Sequence, residues 1–596
     1  MIKSFKKKTI IIIQILLLFF SVLLLTEKGQ VFIISYLEKV VGHELSIYWW
    51  SYVLRAMGSF CLTILILSVI VVYLMPVIFK KKNEKEISSG EEGSTQVLFD
   101  RYKWPVILFF TVFSAILGGV IINDGLYMRD ASEYIADARE LVTGVSDPNR
   151  PGTGYSCGVA LILAPFYAIS GLNLLVLKIP YVLLFSGTVF VLGINAYKRF
   201  KGSHAVIILS VISINYMFLE FLNGLVSDIP FLFFSTTAIV CFYEMYSENT
   251  RKKKVIMAVV AGLCTAAACL IRFNGFVIML TALCVDIIAW VLSRRILSKI
   301  KTYAENNIKL PVVDWKIQVV YYLIFIIVYA VVSYFFPARV RGDGSNLSGI
   351  SIYSLCDNVS YYFWIFKDFF TEQIHSFIRT VVWVVISPLI LYGAKRCLKD
   401  EPVTLIYCIG SVLLYILWPQ TQGIRFVFPV IPFFLIFLIY GYKEIGKKWI
   451  KNIYRLLAMI YLGVEIYCDI VGIAINLRND RVSKDGMISG DEREMFDYIN
   501  ENISPDATIV HGDPCLLYLM TSRGNKNENS CDGWYEDPEK LTEQLKENDY
   551  VLVGNNEDFF DFYNNSGIEN EVGIEIVFKT DGMTLYRSIE KTENLR

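Results

Sequence analysis

Four charged side chains stand at the ends of long apolar stretches, where an isolated charge is costly. Asp130 lies in Arg129-Asp130-Ala131-Ser132-Glu133-Tyr134, and Asp228 in Gly224-Leu225-Val226-Ser227-Asp228-Ile229-Pro230. Arg272 lies in Leu270-Ile271-Arg272-Phe273-Asn274-Gly275, and Arg425 in Gln422-Gly423-Ile424-Arg425-Phe426. An ionised group at a membrane boundary must be solvated or matched, which makes each a functional suspect. A carboxylate there can deprotonate an acceptor hydroxyl or hold a metal ion that does so. A guanidinium is the natural partner of a phosphate and can stabilise it as it leaves. An acid beside a phosphorylated lipid and its acceptor is the equipment of group transfer.

Each residue also has a plain structural reading. Asp130 precedes Glu133 by three residues, a capping pattern at a helix start. Asp228 stands just before Pro230, a good N-cap position. Arg272 and Arg425 can snorkel to the headgroup layer. Lys178, early in the apolar stretch 172–196, is a further cationic candidate of the same kind. What favours function is sidedness: both acids and both arginines fall at outward ends, where the positive-inside bias makes an arginine less expected. Asp130, Tyr134 and Ala138 also recur every four residues, which stacks them along one helical face.

The elements that position these residues are membrane helices. The chain has 596 residues, 55% hydrophobic and only 19% charged, with mean hydropathy +0.48. A soluble protein carries about a quarter charged residues. Lys+Arg and Asp+Glu are 56 each, so the net charge gives no sign of nucleic-acid binding. Apolar runs near the roughly 20 residues needed to cross a bilayer number about thirteen, from 9–25 and 57–79 through 205–221, 402–417 and 426–440 to 456–473. The expected fold is therefore a polytopic α-helical membrane protein with about 13 transmembrane helices. The first run follows Lys6-Lys7-Lys8 like a signal peptide, and reads as a retained anchor. The clusters Lys80-Lys81-Lys82, Arg251 to Lys254, Arg294-Arg295 and Lys447-Lys448 share one side, which places the N-terminus in the cytoplasm.

Three regions follow: 1–103, a transmembrane hairpin and a Lys/Glu/Ser/Gly-rich cytoplasmic linker; 104–475, the main transmembrane domain; and 476–596, a small extracytoplasmic α/β domain. The last turns abruptly polar and is about the size of an independent domain. Segments 491–502 and 538–548 read as amphipathic helices, 508–510 and 550–553 as buried strands. Asp581-Gly582 between 575–578 and 584–586 signals a hairpin. Two long outward loops, 123–171 and 336–376, lack linker composition and read as functional. The twelve cysteines are scattered, and Cys515 and Cys531 are the pair that could bridge within the tail. His511 and Asp513 read as a turn after a strand rather than as a metal site. His375 is a possible ligand, and a divalent cation is the one cofactor the carboxylate chemistry admits.

At these residues the sequence resembles the GT-C superfamily of integral-membrane glycosyltransferases, near the bacterial protein O-mannosyltransferases and the lipid A aminoarabinose transferase. Asp130, Tyr134 and Ala138, followed by Arg139-Glu140, are similar to the family's first-loop pattern; Ala131 stands where many members have Glu. Gly154 to Gly158 and Ala164-Pro165-Phe166-Tyr167 resemble its Gly- and Pro-containing lead-in to the next helix. Ser227-Asp228-Ile229-Pro230 resembles its second acidic loop, and Arg272-Phe273-Asn274-Gly275 its Arg-x-x-Gly hairpin. Gln422-Gly423-Ile424-Arg425 with Pro429 and Pro432 resembles its late Arg-x-x-x-Pro-x-x-Pro helix.

The likeness covers roughly 104–473 and implies a polyprenyl-phosphate sugar donor, inversion at the anomeric carbon, and Asp130 as base. With Asp228 as second catalytic acid, it implies Tyr134, Lys178, Arg272, Gln422 and Arg425 as substrate-binding residues. The main rival class is a multi-pass transporter or lipid flippase. Such proteins often carry internal repeats and mid-membrane polar sites; here no repeat is visible and the polar suspects cluster at one interface.

Overall fold

A computed structural model describes residues 2–41, 102–144, 157–200, 202–247, 250–293, 314–337, 352–369, 374–418, 421, 423–483, 486–488, 490–523, 537–554 and 559–590, with a few between 50 and 65. Eight of its helices are long and apolar enough to cross a membrane, or up to ten if each of two bent pairs counts as one span. Apolar runs of this length leave the backbone one good option, because a helix satisfies every N–H and C=O within itself. Side-chain hydroxyls follow suit. Thr265 donates to the Ala261 carbonyl at 2.8 Å and Thr237 to that of Phe233 at 2.7 Å, so neither needs water.

The helices are not equivalent. Helix Asp228–Ser247 has 78% of its apolar window buried, whereas Trp315–Phe335 has 22% and Ser376–Leu398 17%. The first is the axis of the bundle, packed against Arg251–Ile271 and Leu174–Arg199; the other two face outward. Close crossings rest on glycine. A Cβ on Gly393 would collide with the Phe437 carbonyl, and one on Gly441 with that of Leu389, so helices Ser376–Asp400 and Ile431–Glu444 meet backbone to backbone.

The expected run 402–417 is helix Pro402–Leu417, and most other spans lie within a few residues of their expected limits. Most of 57–79, the linker 80–103 and Cys531 lie outside the described residues. Two runs are broken where an unbroken helix was expected. The run 205–221 is helix Gly202–Ser213, then Tyr216–Glu220 and a 3-10 turn Phe221–Asn223, bent by 44°. Asn215 causes the break: its side chain caps the second helix by accepting from the Phe218 amide at 3.1 Å. The run 426–440 starts as a 3-10 turn, Ile424–Val427, and becomes helical only at Ile431–Glu444. Pro429 and Pro432 lie at that junction, and a proline disfavours helix in the residue before it. The long loops also hold structure: helices Arg129–Thr143 and Gly158–Ser170 in the first, and Ile352–Trp364 with the 3-10 turn Ile365–Phe369 in the second.

The tail is the expected α/β unit. Strands β1 (Ile509–His511), β2 (Tyr550–Gly554), β3 (Val572–Lys579) and β4 (Met583–Glu590) form one sheet in the order β1-β2-β4-β3. β1 and β2 run parallel, and the other pairs are antiparallel. Thr580-Asp581-Gly582 makes the hairpin turn, closed by the Thr580 amide donating to the Met583 carbonyl at 2.9 Å. Strand alternation divides the apolar residues between two cores. Ile509, Leu552 and Leu585 join the core shared with the membrane helices, while Val510, Val551, Val553 and Tyr586 pack on Leu541, Leu545, Phe559 and Tyr563. The sheet is thereby joined to the bundle through a continuous apolar core.

Candidate active site

The site forms where the first-loop helix, Arg129–Thr143, lies across the ends of the spans. Its N-cap is Met128, which makes no side-chain cap bond, so Asp130 is inside the first turn and is not the cap. The carboxylate instead faces Arg425, Nη1 to Oδ2 at 3.3 Å. Arg425 is carried by the 3-10 turn that opens the broken span. Gly423 (φ +70°) lets the chain enter that turn, and its amide donates to the Tyr361 hydroxyl at 3.1 Å.

Asp228 opens the axial helix and is fully buried. Its Oδ1 accepts from Arg272 Nη1 at 2.8 Å, and its Oδ2 has no hydrogen-bond partner among the described residues. Arg272 sits at an extended residue ending helix Arg251–Ile271, before the 3-10 turn Phe273–Gly275. Its guanidinium lies over the Phe426 ring, 4.9 Å from the centroid, next to Arg425 in sequence. Gly158 makes room here: a Cβ there would press on the Leu270 carbonyl two residues before Arg272.

Tyr134 joins the two ion pairs. It is buried, hydrogen-bonded to Ser227, and feels the charges of Arg272, Asp130 and Asp228. Burial pushes its phenol above the ordinary tyrosine range, against the pull of Ser227 and Arg272, so it stays protonated at neutral pH. The structure thus gathers Asp130, Tyr134, Asp228, Arg272 and Arg425 into one cluster. Ser227 and Phe426 belong to it as well; each is a neighbour in sequence of a residue singled out for charge, which was the only signal for them.

The other expected residues lie elsewhere. Lys178 is fully buried, and its ammonium donates to the carbonyls of Asn123 (2.7 Å) and Gly125 (2.6 Å) and to Asn223 Oδ1 (3.2 Å). Its three protons are thereby directed at the loop backbone and an amide. Gln422 lies outside the described residues. His375 caps its own helix by accepting from the Phe377 amide. Asp513 caps helix Pro514–Thr521 through the Leu516 amide at 2.9 Å, in keeping with a turn, and accepts from Ser132 at 3.0 Å.

The tail also grips the loop before Asp130, a role the sequence did not reveal. Arg493 donates to Asp124 Oδ2 at 2.8 Å, and the Ser483 amide to Asp124 Oδ1 at 2.7 Å. The Met487 amide donates to the Leu126 carbonyl at 2.7 Å, and Arg139 Nη1 to the Tyr518 carbonyl at 3.2 Å. A divalent cation fits this donor set poorly. Each acid already faces a guanidinium, and no group of three His, Cys, Asp or Glu among the described residues could hold a metal ion.

Residues 163–339 match the family model described as dolichyl-phosphate-mannose-protein mannosyltransferase. Among solved structures, the chain is similar to ArnT from Cupriavidus metallidurans in the apo state, with a TM-score of 0.55 at 11% identity, covering 80% of this chain and 97% of that one. ArnT from Cupriavidus metallidurans bound to undecaprenyl phosphate matches over the same shares, with a TM-score of 0.54 at 12% identity. The chain has the GT-C fold. No curated protein matches the chain in sequence. Together with its apolar helices, the GT-C fold makes this a multi-pass membrane protein. The matched segment 163–339 carries Asp228 and Arg272, whereas Asp130 and Arg425 lie on either side of it.

Proposed function

We propose that the protein is an inverting glycosyltransferase that moves a sugar from a polyprenyl-phosphate donor to an acceptor on the outer face of the membrane. The observation that carries this reading is the convergence of two acid–arginine pairs on Tyr134 at one end of the bundle. The ArnT bound to undecaprenyl phosphate supports a polyprenyl-phosphate partner. The basic clusters at the opposite helix ends support an outward-facing site and a cytoplasmic N-terminus. The acceptor hydroxyl gives its proton to Asp130 as its oxygen bonds to the anomeric carbon. The bond from that carbon to the phosphate oxygen breaks, and polyprenyl phosphate leaves with the electron pair.

Arg425 and Arg272 bind the phosphate and offset the charge that grows on it. Asp228 holds Arg272 in place, and Tyr134 donates a hydrogen bond within the site. Lys178 acts as a positioning residue, since it fixes the backbone leading to Asp130. Gln422 stands three residues before Arg425 in sequence and completes the donor-binding set. A divalent cation would share its carboxylates with the arginines that face them, and no step here needs one.

The test is incorporation of labelled sugar by membranes supplied with a polyprenyl-phosphate sugar. Asp130→Asn should cut incorporation by at least about a hundredfold while expression stays intact; full activity in that variant would refute Asp130 as base. Substrate uptake into sealed vesicles without any glycosylated product would replace this reading with a transporter.

A further inference from the structure

A second cavity lies away from this site. A groove of about 630 Å³ opens between helices Gly202–Ser213, Ser376–Asp400, Ile431–Glu444 and Lys448–Arg478. Its walls are aromatic and aliphatic. Phe366 stacks on Trp383 at 5.4 Å and on Phe434 at 4.6 Å between ring centroids. One end is closed: Phe369 stacks on Tyr461, and Asn215 ties them together by donating to the Phe369 carbonyl and the Tyr461 hydroxyl.

The other end opens between three cations, Lys443, Lys451 and Arg455. None of these has an ion-pair partner among the described residues; Glu444, next in sequence, faces Arg396 at 3.8 Å. Arg455 donates to the Tyr442 hydroxyl at 2.9 Å and to Asn452, Lys451 approaches the Lys443 carbonyl at 3.5 Å, and Lys443 lies over the Phe200 ring. Lys447 and Lys448 add charge at the same level, beside the exposed Trp449.

Depth and position decide the occupant. Lys451 and Tyr461 are ten residues apart on one helix, which is about 15 Å, or half of a 30 Å hydrocarbon core. The groove therefore runs through a single leaflet, from the headgroup level to the midplane. Arg425 precedes helix Ile431–Glu444 and Lys443 sits near its end, at least about 18 Å away along the axis. The cations thus belong to the leaflet opposite the candidate active site.

We infer that this groove is a binding site for one two-chain anionic phospholipid of that leaflet, with its phosphate between Lys443, Lys451 and Arg455 and its acyl chains against Trp383 and Phe434. The volume is in the range of ordinary ligand pockets, the depth matches one acyl layer, and the charge selects an anionic headgroup.

The test is native mass spectrometry of the delipidated full-length protein, given dioleoylphosphatidylglycerol or dioleoylphosphatidylcholine. One phosphatidylglycerol should be retained per chain, with occupancy preferred over phosphatidylcholine by about tenfold to a hundredfold. K443E/K451E/R455E should erase that preference. Ala458→Trp, which fills the groove and leaves the cations in place, should lower retention of both lipids and covers the case of a triple variant that fails to fold. Equal retention of the two lipids by the native protein would overturn the inference, as would a preference that survives charge reversal. So would displacement of phosphatidylglycerol from the groove by undecaprenyl phosphate at equal concentration, which would assign it to a prenyl chain.

Discussion

The same acid–arginine chemistry occurs at both ends of the bundle, in opposite states of closure. At the end away from the site, Arg199 pairs with Glu401 with side-chain exposures of 0% and 3%, and the Tyr440 hydroxyl donates to Glu401 at 2.7 Å. The Arg199 guanidinium also lies over Tyr243. At the site, exposure rises from Arg272–Asp228 (13% and 0%) to Arg425–Asp130 (23% and 29%). A pair sealed from solvent has its opposite charges paired within the protein and no open face at which a ligand could arrive. A pair open on one side keeps hydrogen-bonding capacity for something that arrives. Closure, not residue type, therefore separates the tie from the site.

The contrast is tested most severely by exchanging which property each pair is asked to carry. Asp130→Asn should lower transferase activity by about 10²–10⁴-fold, the range of a lost general base. Its pair is partly exposed, so thermal stability should move by no more than about 1 kcal/mol. Glu401→Leu should do the reverse. Stranding Arg199 in the interior should cost about 3–5 kcal/mol, read as a lowered unfolding midpoint in detergent, with turnover per folded molecule little changed. If Glu401→Leu abolished turnover in a fully folded protein, the division between tie and site would fail.

Asp228→Asn probes the intermediate case. Its carboxylate is fully buried, so the variant should lose both activity and stability, each by less than the extremes above. The Asp228→Asn and Arg272→Met changes should also be strongly non-additive, because each removes the other's partner. Additive losses would mean that the two residues act separately. Tyr134→Phe should have a smaller effect, at most about tenfold in rate for one lost hydrogen bond. With burial holding the phenol above its ordinary range, the native enzyme should show no alkaline loss from Tyr134 ionisation up to about pH 10. An alkaline limb below that pH that vanishes in Tyr134→Phe would contradict this.

What the sequence disclosed follows the same division. Asp130, Asp228, Arg272 and Arg425 were visible because a charge at the end of an apolar run is conspicuous, and the spans were visible because twenty apolar residues have few uses. The tail sheet was legible from strand alternation and Asp581-Gly582. The sealed pair was not: Arg199 and Glu401 each flank a span, like any loop charge, and are 202 positions apart in sequence. Lys178 shows the complementary failure. Its charge drew attention, but the oxygens that match it come from Asn123, Gly125 and Asn223, so only the folded chain reveals a clamp. The break at Asn215 was hidden for a similar reason, since one capping residue outweighs a continuous apolar pattern.

The smallest expected effect on stability concerns the tail. Arg493 and Asp124 form a partly exposed pair, with 37% and 21% of their side chains exposed, so Arg493→Ala should cost well under about 1 kcal/mol of stability. Yet Asp124 lies six residues before Asp130, in a loop that Lys178 holds from below and the tail holds from above. Loosening one grip should leave the fold intact and let the first-loop helix shift. A shift of even about 1 Å at a base can cost up to a hundredfold in rate. Arg493→Ala should therefore lower kcat more than it raises KM, and Arg493→Lys should restore part of the loss. Unchanged kinetics in Arg493→Ala would mean that Lys178 and the backbone bonds from Ser483 and Met487 suffice, and that the tail's charge has no part in positioning the acid.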